Sequence, residues 1–324
     1  IMPNYNYGPF LDESFSSLLR QTFKDFEVIF IDDGSSDDSR KIAESYIDKF
    51  AGRLIVICQQ NQGVYHARNA GLKCAIGKYI AFFDADDIWP PESLDERVAF
   101  LNDNPDMGIV YSNVEFFHSD SGRAIGLSYG PKTSHQPFTG DILVPLFVRD
   151  NFVNNVTPMM RREVFDKVGY FDENFKVGGD YDYWLKAASD FTYGYIPEIL
   201  CRQRRHSMNL TFKELSQGWA RLRIIRNILR YAPRIRNLIG EREISDKWYA
   251  AYYRLGMALI LEDKKSRGRK FLKRALRINS NPFKSKIYAY YALSFVPCIK
   301  KIKELRQNIR QRRSKKKMAR LARG

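Results

Sequence analysis

The chain has 324 residues, 44% of them hydrophobic and 28% charged, which excludes disorder throughout, a collagen and a disulfide-stapled miniprotein. At about 100–200 residues per domain, that length implies two domains. The formal charge of +16 points first to a nucleic-acid binder, yet residues 1–200 carry 18 Lys+Arg against 30 Asp+Glu while residues 201–324 carry 35 against 7, so two parts with different partners are expected.

The first half alternates strand and helix signals. Glu27–Ile31 is an apolar run halted by Asp32-Asp33-Gly34-Ser35, a turn cluster. Helical spacing follows over residues 37–50. Leu54–Cys58 reads as a buried strand, Ala67–Ala75 as a helix, and Tyr79–Phe83 as a third apolar run ending at Asp84. This alternation predicts an α/β fold with a mostly parallel sheet flanked by helices, whose ligands bind beyond the carboxyl ends of the strands. Further on, Gly108–Phe117 is strand-like, and Arg162–Val168 and Tyr181–Ala188 are short helices. From Glu214 onward the chain reads as helix. Trp248–Glu262 and Ser266–Ile278 form a helical hairpin that faintly resembles one tetratricopeptide unit; a single unit builds no solenoid.

Two strands end in carboxylates. If residues 84–87 are extended, Asp84 and Asp86 share a face and converge. Paired carboxylates repel unless a cation or proton intervenes, and Mg²⁺ or Mn²⁺ prefers oxygen ligands. Such DxD junctions are also common surface features. Asp33 could accept a hydrogen bond from an imide such as uracil presents, or could serve only its turn and helix cap.

The ordered set IMPNYN (1–6), QTFKDFEVIFIDDGSSDDS (21–39), NQGVYHARNAG (61–71), GKYIAFFDADD (77–87), RREVFDKVGYFDENF (161–175) and GGDYDYWLKAA (178–188) resembles the inverting, nucleotide-sugar-dependent glycosyltransferases of family 2. The resemblance covers residues 1–210. It implies a GT-A, Rossmann-like fold followed by an all-helical C-terminal region. Pro3 and Tyr5 then match the loop that packs the nucleotide base, Asp33 the carboxylate that reads the uracil edge, and Arg68 a cation near the phosphates. Asp84 and Asp86 match the DxD that binds Mn²⁺ or Mg²⁺, with Asp86 the more direct ligand. Asp180 matches the catalytic base of a Glu-Asp motif. Gly179 stands where the family has the Glu. Asp182 and Trp184 are assigned to packing. Arg204 and His206 match a stretch that closes over the diphosphate, although a basic linker reads equally well there.

The implied division is a catalytic domain at 1–213, a helical domain at 214–298 and a basic amphipathic tail at 299–324. For residues 300–323, with 12 Lys+Arg and one acid, a solvated tail, an anionic membrane surface and nucleic acid compete. The membrane is favoured, and nucleic acid is discounted for want of a recognised module. The tyrosines of residues 249–291 read as packing rather than a sugar-stacking platform. Four scattered cysteines suit a reducing cytosol. No run reaches a membrane span, no signal peptide is visible, and the opening at Ile1 suggests a trimmed chain. The expected protein is a cytoplasmic enzyme, peripheral on the inner face of the cell membrane, using a UDP-sugar and a glycan or lipid-linked acceptor. A catalytically degraded, membrane-attached scaffold is the alternative that Gly179 favours.

Overall fold

The computed structural model describes residues 1–130, 136–206 and 214–278, with Ile287, Tyr288, Tyr291, Ala292 and Phe295. The basic tail at 299–324, Cys298 and Tyr290 lie outside the described residues. In chain order the elements are β1 (Met2–Asn4), α1 (Gly8–Leu19), β2 (Val28–Asp32), α2 (Ser39–Ser45), β3 (Leu54–Cys58), α3 (Val64–Cys74) and β4 (Tyr79–Ala81). Next come α4 (Ser93–Asp103), β5 (Met107–His118), β6 (Ala124–Leu127), α5 (Leu143–Val148), β7 (Met159–Arg161), α6 (Arg162–Val168), α7 (Gly179–Ala187) and β8 (Thr192–Arg205). Three helices end the series: α8 (Glu214–Tyr231), α9 (Ile235–Leu261) and α10 (Lys265–Leu276).

The described residues fall into two compact units, those of 1–206 with Asn227–Leu238 and those of 214–226 with 239–295. In the first unit, β1, β2 and β3 form a parallel sheet whose register aligns Asn4, Asp32 and Cys58 at the carboxyl ends. The central strand VIFID is buried along its whole length, as expected where helices cover both faces. Phe15 of α1 packs there against Phe30, Tyr46 and Phe50 at ring distances of 5.5, 4.9 and 5.9 Å. Asp37 holds two helix starts at once, accepting from the Gly8 amide of α1 at 2.9 Å and the Ser39 amide of α2 at 3.0 Å. Neither helix has a cap from its own preceding residue.

A second, mixed sheet runs β4-β7-β5-β6, with β8 parallel to β5. The Phe83 amide donates to the Ile1 carbonyl at 2.9 Å, which sets the chain after β4 beside β1. Trp184 is fully buried beside Phe82, and Asp182 accepts from Asn227 at 2.9 Å. Asn227–Leu238 adds the buried residues Ile228, Ala232 and Ile235 to this unit.

The second unit is helical. A Cβ on Gly256 of α9 would lie 2.7 Å from Leu272 of α10, and one on Gly268 would lie 2.6 Å from Ile260. The two helices therefore touch backbone to side chain where glycine allows it. Tyr249, Tyr252, Tyr253 and Tyr291 pack in this unit's apolar cluster. Among the described residues no helix is long and apolar enough to cross a membrane.

Candidate active site

The site begins at the turn that follows β4. The Asp87 amide donates to the Asp84 carbonyl at 3.0 Å, so residues 84–87 curl instead of extending. This corrects the expectation that alternation brings Asp84 and Asp86 to one point. Strand periodicity ends with β4 at Ala81, and the two carboxylates meet different partners. Asp84 accepts from Arg68 of α3 at 2.9 Å. Asp86 contacts the His206 imidazole, with 2.8 Å between Oδ2 and Nε2.

The end of β8 is brought to this turn by backbone pairing of Ile88 with Arg202. Arg204 then donates through its amide to the Asp87 carboxylate at 3.0 Å and through Nε to the Asp86 carbonyl at 2.9 Å. Its guanidinium reaches Glu13 of α1 at 2.5 Å. The His206 ring lies against Phe10 at 4.7 Å and Tyr7 at 5.6 Å.

Burial raises the Asp84 carboxyl, opposed by Arg68 and assisted by the charges of Asp86 and Asp180. Burial also raises Asp87 well above the ordinary carboxylate value, with Asp86 and Asp84 adding to the effect. A buried group of like charges favours whatever cation or proton neutralises it. Among the described residues, no group of three or more His, Cys, Asp or Glu is arranged to hold a metal ion.

Asp180, in the first turn of α7, is held differently. Its Oδ1 accepts from the Tyr65 hydroxyl and its Oδ2 from the Asn151 amide, each at 3.3 Å. Among the described residues it has no ion pair. At the other end of the site, the Asp33 carboxylate accepts from Gln59 Nε2 at 2.7 Å and from the amides of Gln62 at 3.0 Å and Gly63 at 2.8 Å. An ionised carboxylate offers about four acceptor positions, so one remains. Pro3 lies within β1, paired in register with Ile31, and Tyr5 beyond it is 48% exposed.

The model of the family described as "Glycosyl transferase family 2" matches residues 1–169, more than half of the chain. The chain belongs to glycosyl transferase family 2. The uncharacterized glycosyltransferase RP339 of Rickettsia prowazekii is 32% identical over 220 residues, a match covering 67% of this chain and 66%, just under two thirds, of that protein. Among solved structures, TarS of S. aureus in complex with UDP aligns at a TM-score of 0.58 and 20% identity, over 91% of this chain and 88% of the other. The mannosyltransferase PcManGT of Pyrobaculum calidifontis, in complex with GDP-Man and Mn²⁺, aligns at 0.55 and 17% over 93% and 81%. At such identities the likeness concerns the fold, which is the expected GT-A architecture followed by helices.

In this family 2 chain the structure thus gathers Arg68, Asp84, Asp86, Arg204 and His206 around one turn, with Asp180 near enough to act on Asp84. Pro3 lies within β1, and Tyr5 and Asp33 follow the ends of β1 and β2. Sequence reasoning passed over Tyr65, Asn151, Glu13 and Phe10. Tyr65 had a usable signal, since it precedes Arg68 by three residues and shares its face of α3. Asn151 and Glu13 come from distant loops and helices and offered none.

Proposed function

We propose that this chain is an inverting, metal-dependent glycosyltransferase. It moves a sugar from a nucleotide-sugar donor, a UDP-sugar by preference, to a hydroxyl of a glycan or lipid-linked acceptor in cell-surface polysaccharide synthesis. The observation that carries this reading is that one helix, α3, reaches both groups: Tyr65 donates to Asp180 at 3.3 Å and Arg68 to Asp84 at 2.9 Å, which brings a candidate base and a candidate cation site to the same helix.

Each residue has a place in that chemistry. Tyr5 and Pro3 pack the nucleobase, and the remaining acceptor position of Asp33 takes its imide N–H. Arg68 and Arg204 offer guanidinium groups suited to phosphate oxygens. Asp86 and His206, with Asp84, would hold Mn²⁺ or Mg²⁺. The donor types suit Mn²⁺, and to admit it the Asp86–His206 contact of 2.8 Å and the Asp84–Arg68 pair would have to open. A divalent cation bound there supplies charge neutralisation for a departing diphosphate. Asp180 takes the proton of the attacking acceptor hydroxyl, and a single displacement inverts the anomeric carbon. TarS, crystallised with UDP, and PcManGT, with GDP-Man and Mn²⁺, lend support by analogy of fold.

A degraded scaffold is the weaker reading, because Asp33, Asp84, Asp86 and Asp180 are all present. The organisation at 1–213, 214–298 and 299–324 and a place at the cytoplasmic membrane surface belong to the same proposal. In their support, Arg267, Lys270, Lys273, Arg274 and Arg277 of and just after α10 are all exposed, and α10 holds no acid. Such a cationic stripe complements anionic head groups. A thermal-shift panel of UDP- and GDP-sugars with MnCl₂ tests the enzyme reading, since a specific donor stabilises by mass action. A rise with one UDP-sugar that vanishes in Asp86→Ala supports it; an equal rise in that variant overturns the metal assignment.

A further inference from the structure

Position 179 is glycine for a spatial reason. A Cβ there would lie 2.8 Å from Cζ of Tyr65 and 3.0 Å from both Cε atoms, inside the distance at which carbon atoms pack. The ring cannot retreat. Tyr65 is 4% exposed, lies stacked on Phe171 at 5.8 Å, and has the Arg68 guanidinium 5.7 Å from its centroid.

The hydroxyl's partners at the start of α7 determine which way its proton points. The Gly179 amide can only donate, and it does so to the phenol oxygen at 2.7 Å. The single phenol proton is then left for the Asp180 carboxylate at 3.3 Å. Burial, followed by the charge of Asp180, raises the phenol above its ordinary value, so the proton stays in place across the working pH range. The residue preceding α7, Gly178, provides no side-chain cap. The phenol fills that role from outside the helix and satisfies one of its orphan amides.

We propose that Tyr65 is the acceptor-side positioning residue of this enzyme: its phenol, seated where a side chain at 179 would stand, orients the Asp180 carboxylate and anchors the start of α7. The chain therefore replaces a carboxylate beside its base with a neutral hydroxyl delivered from α3. Because Arg68, three residues on, holds Asp84, a single helix sets both the candidate base and the first carboxylate of the acidic turn. This inference rests on Asp180 being the base.

The test uses the full chain with MnCl₂ and the sugar nucleotide that stabilises it most, measuring nucleotide release to water, alongside calorimetry with UDP. Tyr65→Phe keeps the ring and removes the hydroxyl. The expected result is a fall in kcat of about 10-fold, the scale of a lost hydrogen bond to a charged group, with KM and UDP affinity unchanged. Because Tyr65 acts through Asp180, the double variant Tyr65→Phe/Asp180→Asn should be no slower than Asp180→Asn alone. Normal kcat in Tyr65→Phe, a multiplicative loss in the double variant, or a parallel loss of UDP binding each overturns the positioning role. Wild-type turnover in Asp180→Asn instead overturns the base assignment beneath it, an outcome that Tyr65→Phe alone cannot produce.

Discussion

The two sides of the candidate site hold their carboxylates by opposite means. Around the turn at 84–87, each acid has a nitrogen group beside it: Asp84 the Arg68 guanidinium, Asp86 the His206 imidazole, and Asp87 the Arg204 backbone amide. Among the described residues Asp180 has no ion pair and is held by a phenol and a carboxamide, both at 3.3 Å. A neighbouring cation stabilises the ionised form and weakens a carboxylate as a base. Around the turn that help is outweighed by burial and the neighbouring acids, which raise Asp84 and Asp87, so this cluster favours a cation brought by a ligand, while Asp180 stands on neutral partners. The contrast supports the proposed division of roles, which residue type alone leaves equal.

The comparison can be broken most sharply at Asp180. Asp180→Asn should retain UDP binding by calorimetry and lose about 10²–10⁴-fold in transfer, the usual share of general-base catalysis; full turnover would end the distinction between the sides. Arg68→Met should act on the other side, leaving Asp84 without its cation. Breaking a buried pair in this way costs about 3–5 kcal/mol, and the partial exposure of Asp84 places the expected loss in urea unfolding at the lower end. Asn151→Lys would set a cation beside Asp180 and make the two sides alike. Turnover near neutral pH should then fall about 10-fold, with UDP affinity retained.

The smallest effect concerns a carboxylate belonging to neither side. Partial burial raises Asp37, but hydrogen bonds from the Ser39 hydroxyl and from the Ser39 and Gly8 amides outweigh it, and the carboxyl lies below its ordinary value. A depressed value stabilises the fold above the unfolded pKa of about 3.9 and loses that contribution as pH falls through the folded value. Asp37→Asn should melt about 2–4 °C lower than the parent at neutral pH. The gap should close as acid protonates the parent, and a constant gap would assign the loss to packing.

Much of the fold could be read from the residues because its central elements are apolar runs bounded by turns. Leu54–Cys58 and Arg162–Val168 occur where the pattern put them, but the strand expected to be buried is an edge strand with Ile55 and Cys58 exposed, and β2 is displaced by one residue. Helix α1 went unseen, since Gly8-Pro9 resembles a loop and its cap comes from Asp37, far along the chain. Strand β8 was legible only at its end: Pro197 and Glu198 interrupt it, and its partner β5 lies far back with shifts in register. In the site, Asp84 and Asp86 were found, but their separate partners were not, because a turn replaced the assumed extension. Gly179, the departure from the family's motif, has the Tyr65 ring against it, a contact that no local pattern announces.

That contact also imposes an order on change. While the phenol is in place, a side chain at 179 has no room, so variation there is closed. Replacing Tyr65 first by a small residue opens the space, at the cost of the void that a lost buried ring leaves, about 3–5 kcal/mol. Only afterwards can position 179 accept a larger residue and refill it. Libraries that randomise 179 alone should return glycine, whereas paired libraries should return a small residue at 65 with a larger one at 179. By this geometry positions 65 and 179 change as a pair, with Tyr65 the first to yield.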